Sequence, residues 1–400
     1  MNVNVVITGH VDHGKSTLIG RLLYDSDNIK EGRVEEIQRI AEEYKKRFEF
    51  AYFLDSFDDE LKEERTIDTT GVMFKGKSLY VITDVPGHKE FIKNMLTGAS
   101  HADIAVLVVA ADQGVQEQTG RHAFLIHMLG VQKLLVVINK MDAVGYTDAA
   151  FQATRDKVGL LLDSLGYRDV RCIPASAMEG DNIYKRSQNM PWYNGPTLIE
   201  ALDSIELESE TRPPRFVVQD TYTVEGEAVI VGRVESGSLR QGEEIVFQPS
   251  GARGRIGKIK VYPDDVGRAE LGDSIGIVCG CAPRRGDVGG PASSPPMPTT
   301  RFVGQAVLLD ELVAGETLEL RCGIGRVRCT VEEMREKIDS ETGAVIETQP
   351  RRIGEHEAAT LVFATEPLVV ERFADIPALG RFILVRGKNI GAGVVLGTTA

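Results

Sequence analysis

Residues 9–17 read Gly9-His10-Val11-Asp12-His13-Gly14-Lys15-Ser16-Thr17, and their reading decides the fold. They fit G-x-x-x-x-G-K-[ST], the pattern of a loop that cradles nucleotide phosphates. An apolar run, Val3 to Ile7, precedes them and suits a buried strand; Leu18-Ile19 and Leu22-Leu23 follow at helical spacing. The loop therefore belongs at a strand-to-helix corner. There the main chain of Asp12, His13, Gly14, Lys15, Ser16 and Thr17 and the helix N-terminus converge on anionic phosphate oxygens. Lys15 is expected to neutralise the outer phosphates, and the Ser16 hydroxyl to hold Mg²⁺. The competing reading is a chance Gly-rich turn, and the strand and helix flanks weigh against it.

Further along, apolar runs alternate with helix-like stretches. Strand candidates are residues 71–74, 79–82, 104–109 and 134–138; helical patterns span 91–99 and 119–129. A charged segment, 30–47, reads as a solvated helix face. The last two strand candidates are continuously apolar, as strands covered on both faces are. This alternation predicts a mostly parallel sheet with helices on both sides, whose ligands bind at the carboxyl ends of the strands.

Three more stretches fall at those ends. Asp84-Val85-Pro86-Gly87-His88 follows the strand at 79–82. An Asp there can hold a Mg²⁺-bound water, and the Gly87 N–H can reach a terminal phosphate. Alone, D-x-x-G is a common turn; in register behind a phosphate loop it becomes specific. Asn139-Lys140-Met141-Asp142 ends the strand at 134–138. The Asp142 carboxylate can accept from both the ring N–H and the exocyclic amine of guanine. Adenine presents neither donor, so the carboxylate would be left unpaired. Lys140 is expected along the base. Ser176-Ala177-Met178 follows Cys172-Ile173-Pro174, a plausible last strand, and offers a backbone N–H to the guanine carbonyl. In this order the four motifs point to Mg²⁺-dependent hydrolysis of GTP to GDP, hence to a conformational switch. His88, directly after Pro86-Gly87 at the γ-phosphate end, is the candidate for orienting the attacking water.

At 400 residues the chain exceeds what one hydrophobic core usually serves, so two or three domains are expected. A hydrophobic content of 42% and a charged content of 26% are those of a soluble globular protein. No apolar run is long enough to cross a bilayer, and Met1-Asn2-Val3-Asn4 carries no basic region, so a cytoplasmic protein without a membrane partner is expected. A net charge of −13 argues against wholesale coating of nucleic acid and against DNA as a partner, but leaves room for a local basic patch. Cys172, Cys279, Cys281, Cys322 and Cys329 form no paired C-x-x-C set. They read as small buried residues in a reducing cytosol rather than metal ligands or disulfides.

Composition shifts at 208–214, a polar stretch ending in Pro213-Pro214 that reads as a linker. Beyond it short β-type runs recur, such as Phe216-Val217-Val218 and Val229-Ile230-Val231, separated by Gly-containing turns, as in a closed antiparallel barrel. A Pro- and Ser-rich stretch, 289–298, punctuates again before the β pattern resumes at Arg301. The expected division is an α/β GTPase domain with a mostly parallel sheet at 1–208, then two antiparallel β-barrel domains at 213–290 and 299–400.

Gly9 to Thr17, Asp84 to His88 and Asn139 to Asp142 resemble the translational-factor GTPases. The resemblance covers essentially the whole chain: a GTPase domain plus two β-barrels, as in elongation factors Tu and 1-alpha. It implies that His88 acts on the hydrolytic water and that Val11 belongs to a hydrophobic gate. The stretches 89–95 and 189–197 are similar to elongation factor 1-alpha and recur in the GTPase subunit of bacterial sulfate adenylyltransferase. Residues 118–122, 144–146, 180–183 and 385–393 tilt toward that relative. The leading expectation is therefore a regulatory GTPase subunit of sulfate adenylyltransferase, coupling GTP hydrolysis to adenylyl sulfate synthesis on a separate catalytic adenylyltransferase subunit. The alternative is a translation factor that binds aminoacyl-tRNA or a release factor at the ribosome. The first switch departs from the family pattern E-R-G-I-T-I-D: Glu64-Arg65-Thr66-Ile67-Asp68 lacks the Gly-Ile pair. Aligned on T-I-D, Thr66 is the Mg²⁺-binding threonine. Aligned without a gap from Glu64-Arg65, Ile67 keeps the gate position and Asp68 takes the metal position; Thr69 or Thr70 could serve if the loop shifts. Slow or partner-dependent GTP hydrolysis is expected from this departure.

Overall fold

A computed structural model describes residues 2–26, 72–84, 102–128, 130–206, 212–224, 226–261 and 264–398. The chain divides into two units, Met1–Leu207 with Glu341–Gly343, and Glu208–Ser340 with Ala344–Ala400. The expected helical segments at 30–47 and 91–99 lie outside the described residues, as do Thr66, Ile67, Asp68, Gly87 and His88.

The apolar run that opens the chain becomes β1 (Asn2–Gly9). With β2 (Val72–Lys75), β3 (Leu79–Asp84), β4 (Ile104–Ala110), β5 (Lys133–Asn139) and β6 (Arg171–Pro174) it forms a sheet in the order β2-β3-β1-β4-β5-β6. Only the β2–β3 pair is antiparallel. β4 is buried along its whole length and β5 everywhere but Lys133, the signature of parallel strands covered on both faces. The α-helices among the described residues are α1 (Lys15–Asp25), α2 (Glu117–Met128), α3 (Asp148–Ser164) and α4 (Leu198–Asp203). α1 sends Leu18, Ile19 and Leu22 into the core against Val5, Ile7 and Val106, which is what their one-face spacing dictates. α4 opens with a capping box: Thr197 Oγ1 accepts from the Glu200 N–H at 3.3 Å, and Glu200 Oε2 accepts from the Thr197 N–H at 2.9 Å.

The ladder register brings the carboxyl ends together. Ile7 lies beside Asp84 on one side and Val106 on the other, and Ala110 lies beside Asn139. The sheet grows in both directions from β1, so the strand that feeds the phosphate loop is the topological switch point.

The second unit is almost all β; its one helical piece among the described residues is the 3₁₀ turn Pro377–Leu379. Its first part holds β7 (Arg215–Val224), β8 (Glu227–Ser236), β9 (Ser238–Arg240), β10 (Glu244–Gln248), β11 (Arg253–Arg255), β12 (Lys258–Val261), β13 (Asp264–Val266), β14 (Arg268–Glu270), β15 (Ser274–Val278) and β16 (Val288–Pro291). One ladder runs β11-β10-β16-β7-β8-β15-β12-β13, and β9 pairs with β14. Its ends curl together: a side chain at Gly254 of β11 would collide with the Cys279 carbonyl, just past β15. Phe216, Val218, Phe247, Ile259 and Ile277 fill the interior.

The second part holds β17 (Pro298–Leu308), β18 (Leu312–Val313), β19 (Thr317–Cys322), β20 (Gly325–Ile338), β21 (Val345–Thr348), β22 (Arg352–Ile353), β23 (Ala358–Val369), β24 (Arg381–Arg386) and β25 (Lys388–Thr398). The order is β19-β24-β25-β17-β23-β20-β21, and β19 also pairs with β20, so the ladder from β19 round to β20 closes into a barrel. Closure removes the exposed edges an open sheet would carry. The rings of Phe302, Phe363 and Phe382 meet inside it with centroids 5.1, 5.2 and 5.6 Å apart. Between the two ladders Arg215, 6% exposed, pairs with Glu371 at 2.8 Å and donates to the carbonyls of Pro214 and Ser294, each at 2.9 Å. The ion pair and the two carbonyl acceptors offset much of the cost of burying the guanidinium. No helix among the described residues is long and apolar enough to cross a membrane.

Candidate nucleotide site

The loop after β1 is shaped by its backbone. Asp12 and Gly14 both sit in the left-handed region, at φ 63° and 85°. Two such residues around His13 turn the main chain into the kind of concavity that receives an anion. At Gly14 the glycine is required twice, because a Cβ there would also collide with Asn139 Nδ2. Gly14 caps α1, no side chain caps it, and the first turn carries no acidic residue. The first helical bond is Leu18 N–H to the Gly14 carbonyl, 2.9 Å. An uncapped start to an 11-residue helix leaves amide donors that a phosphate satisfies.

Lys15 lies across this concavity. Its Nζ donates to the carbonyls of Gly9 at 2.9 Å and His10 at 2.8 Å, drawing the loop around the ammonium. Ser16 and Asp12 are exposed, and Thr17 is half-buried. Val11, the gate position by resemblance, is 49% exposed.

His13 is wholly buried. Its Nδ1 lies 3.3 Å from the Val108 carbonyl, which can only accept, so Nδ1 carries the proton. Burial drives its pKa down to about 4, and the charges of His10, Lys15 and Lys140 push the same way against the Val108 bond. A neutral His13 therefore braces the loop on β4.

Asn139 joins the loop to the carboxyl ends of β5 and β6. Its Nδ2 donates to the His13 carbonyl at 2.9 Å, and its Oδ1 accepts from the Ala177 N–H at 2.9 Å. Lys140 follows in the left-handed region at φ 61°, and the Met141 N–H reaches the Ala175 carbonyl at 3.1 Å. Asp142 is exposed, and its Oδ1 accepts from the Ser176 hydroxyl at 2.6 Å. The same hydroxyl oxygen receives the Glu179 N–H at 3.3 Å. Within the triplet, Ser176 N–H goes to the Asp181 carbonyl and Ala177 N–H to Asn139. The Met178 N–H makes no hydrogen bond among the described residues.

The structure thus brings Asp12, His13, Gly14, Lys15, Ser16 and Thr17 together with Asn139, Lys140, Asp142, Ser176, Ala177 and Met178. Asp84 is the last residue of β3, on the strand next to β1. Ser16, at the start of α1, carries a hydroxyl, a hard oxygen donor of the kind that suits Mg²⁺.

One site neighbour carried no signal in the sequence. His122 of α2 is buried, and its Nδ1 accepts from the Gly9 N–H at 3.1 Å and contacts Thr8 Oγ1 at 2.9 Å. It clamps the exit of β1 where the phosphate loop begins. The stretch 189–197 braces the far side: Trp192 Nε1 donates to the Tyr146 carbonyl at 2.9 Å, and its ring packs 5.4 Å from Phe151.

Sequence comparison places the chain among known GTPases. The elongation factor Tu GTP binding domain family matches residues 1–207, and the GTP-eEF1A C-terminal domain-like family matches residues 301–396. Elongation factor 1-alpha of Archaeoglobus fulgidus is 42% identical over 100% of this chain and 98% of its own length. That of Pyrococcus furiosus is 42% identical over 99% of this chain and 97% of its own. The crystal structure of sup35 complexed with GMPPNP aligns with 100% of this chain and 94% of its own at 26% identity, with a TM-score of 0.47. These relatives do not support the expected closeness to the GTPase subunit of sulfate adenylyltransferase, nor a catalytic adenylyltransferase subunit as partner. That expectation rested on short stretches, none of which is diagnostic alone. On these matches the chain belongs to the elongation factor Tu and 1-alpha family of GTPases, which bind GTP and GDP with Mg²⁺.

Proposed function

We propose that the chain works in the cytoplasm as an elongation factor 1-alpha-type switch in translation. It binds aminoacyl-tRNA, or a release factor, at the ribosome in a GTP-dependent manner, in three parts at 1–208, 213–290 and 299–400. One observation carries the nucleotide reading: the Asn139 side chain joins the phosphate loop to the guanine-reading strand end through two buried hydrogen bonds. The full-length likeness to proteins named elongation factor 1-alpha supports the translational role over sulfate activation.

The residues have distinct tasks in this reading. Lys15 exchanges the carbonyls of Gly9 and His10 for phosphate oxygens. The amides at the start of α1 take up the remaining phosphate charge. Asp142, steadied by Ser176, accepts the two guanine donors, and the Met178 N–H meets the guanine carbonyl. Lys140 lies along the base. Ser16, Asp84 and, on the T-I-D alignment, Thr66 would hold Mg²⁺, which supplies positive charge to the outer phosphates. His88 orients the water, and the Gly87 N–H reaches the γ-phosphate. Phosphoryl transfer asks the protein mainly for positioning and charge stabilisation, which this set provides.

Two measurements test the reading. Titration calorimetry should give GTP and GDP at least about a hundredfold preference over ATP and ADP, because adenine leaves the Asp142 carboxylate unpaired. GTP turnover should rise on adding ribosomes. Stimulation by a catalytic adenylyltransferase subunit and none by ribosomes would overturn the translational role.

A further inference from the structure

Past the end of β15 the chain reads Cys279-Gly280-Cys281. In an extended strand, residues two apart on one face are separated by about 6.7 Å, too far for the roughly 3.8 Å between the Cβ atoms of a disulfide. Gly280 breaks that geometry. It lies in the left-handed region at φ 68°, and a Cβ there would meet nothing within 4 Å, so no packing forces the turn. The turn folds the two side chains together until their sulfur atoms are 3.0 Å apart.

We propose that Cys279 and Cys281 form a reversible disulfide, with a low-molecular-weight disulfide such as glutathione disulfide as the oxidant. The sulfur atoms need to close by about 1 Å to reach a bond length near 2.04 Å. A metal fits less well. Two thiolates on tetrahedral zinc stand about 3.8 Å apart and need two further ligands. Among the described residues no group of three or more His, Cys, Asp or Glu side chains could hold a metal ion.

The electron and proton balance is simple. Cys281, half-buried beside the more deeply buried Cys279, loses its proton and attacks one sulfur of glutathione disulfide. The glutathione S–S bond breaks and one glutathione leaves as thiolate. Cys279 then loses its proton and attacks the Cys281 sulfur of the mixed disulfide, and the second glutathione leaves. Two protein thiols are oxidised, one glutathione disulfide is reduced, and the two protons end on the two glutathione thiols. Burial pushes the Cys281 thiol up to about 12, and the hydrogen bond with Cys279 adds to it. The first attack is therefore slow near neutral pH. The second is intramolecular and fast, so the mixed disulfide does not accumulate. A ring closed over so few residues restrains the unfolded chain little. This makes it a modification and not a staple.

The test uses the full-length folded protein. It is incubated with excess glutathione disulfide, then unfolded and alkylated in one step, and its peptides are weighed. The expected product has lost two hydrogens from the peptide carrying both cysteines. Of the five cysteines, three remain alkylatable, which is five less the pair. Dithiothreitol restores all five. The variant C279S, lacking the second thiol, should instead retain glutathione on Cys281. Five alkylatable thiols in the wild type after oxidation, or a persistent glutathione adduct on its Cys281, would overturn the proposal. So would absence of the adduct in C279S.

Discussion

The side-chain amide of Asn139 donates to the main-chain carbonyl of His13 at 2.9 Å, a contact across 126 residues of sequence. The same side chain accepts from the Ala177 N–H, so one buried residue ties the loop after β1 to the segment that follows β6. Asn139→Ala removes both bonds and leaves a buried carbonyl and a buried N–H unpaired. At about 1–3 kcal/mol for each stranded group, GTP affinity should fall by at least about tenfold, with a lower melting temperature. Calorimetry and thermal unfolding check this; unchanged GTP affinity would remove Asn139 from the role assigned to it.

Asp142 and Ser176 form a second coupled pair, 2.6 Å apart. A hydroxyl donating to a carboxylate makes a charge-assisted bond and holds the carboxylate in one orientation. Ser176→Ala should weaken GTP binding by about tenfold while leaving ATP binding as poor as before. Asp142→Ala should abolish the preference for guanine. A double-mutant cycle on GTP affinity should be non-additive by about 1 kcal/mol or more, since both substitutions act through one carboxylate. Additive losses would show that Ser176 touches the nucleotide by a separate route.

Much of this site was legible before any coordinates. The apolar runs of β4 and β5 announced strands buried on both faces, and the motifs after β1, β5 and β6 had to share one edge of a parallel sheet. His122 was not legible. Nothing in Gln118-Thr119-Gly120-Arg121-His122 says that its imidazole reaches the Gly9 N–H; that follows from α2 packing on the sheet, a property of topology and not of spacing. A second barrel was expected from the recurring β-type runs, but that β19 and β20 are the pair that closes it was hidden, because alternation tells which face a residue takes and not which strand lies beside it. The branch of the family misled for a different reason. The two branches share many stretches, and such stretches report common ancestry more than they report a partner.

His13 makes the protein's stability sensitive to acid. Its pKa falls to about 4 in the fold through burial, against 6.5 for an ordinary histidine. Above pH 6.5 neither folded nor unfolded His13 is protonated, and the contribution is fully present. As pH falls from 6.5 toward 4 the unfolded chain takes up a proton that the folded chain refuses, so stability declines; below 4 the decline levels off. From pH 7 to pH 5 this amounts to about 2 kcal/mol. His13→Gln, which cannot titrate, should flatten that part of the urea-midpoint profile of the GTPase unit. An identical acid slope in the variant would place the sensitivity elsewhere.

The first switch sets the last expectation. Glu64-Arg65-Thr66-Ile67-Asp68 is two residues shorter than the family pattern before its threonine. A shorter loop has less reach to bring a hydroxyl onto Mg²⁺ and an apolar gate residue toward Val11 at once. The isolated protein should therefore turn over GTP below about 0.01 per second, the range of switch GTPases working without a partner's help. Thr66→Ala should cut partner-stimulated turnover by about tenfold or more, a loss of at least about 1.4 kcal/mol in transition-state stabilisation, while Asp68→Ala should leave it nearly unchanged. The opposite ranking would move the metal position to Asp68, and turnover of several per second by the isolated chain would show that the missing Gly-Ile pair carries no kinetic cost.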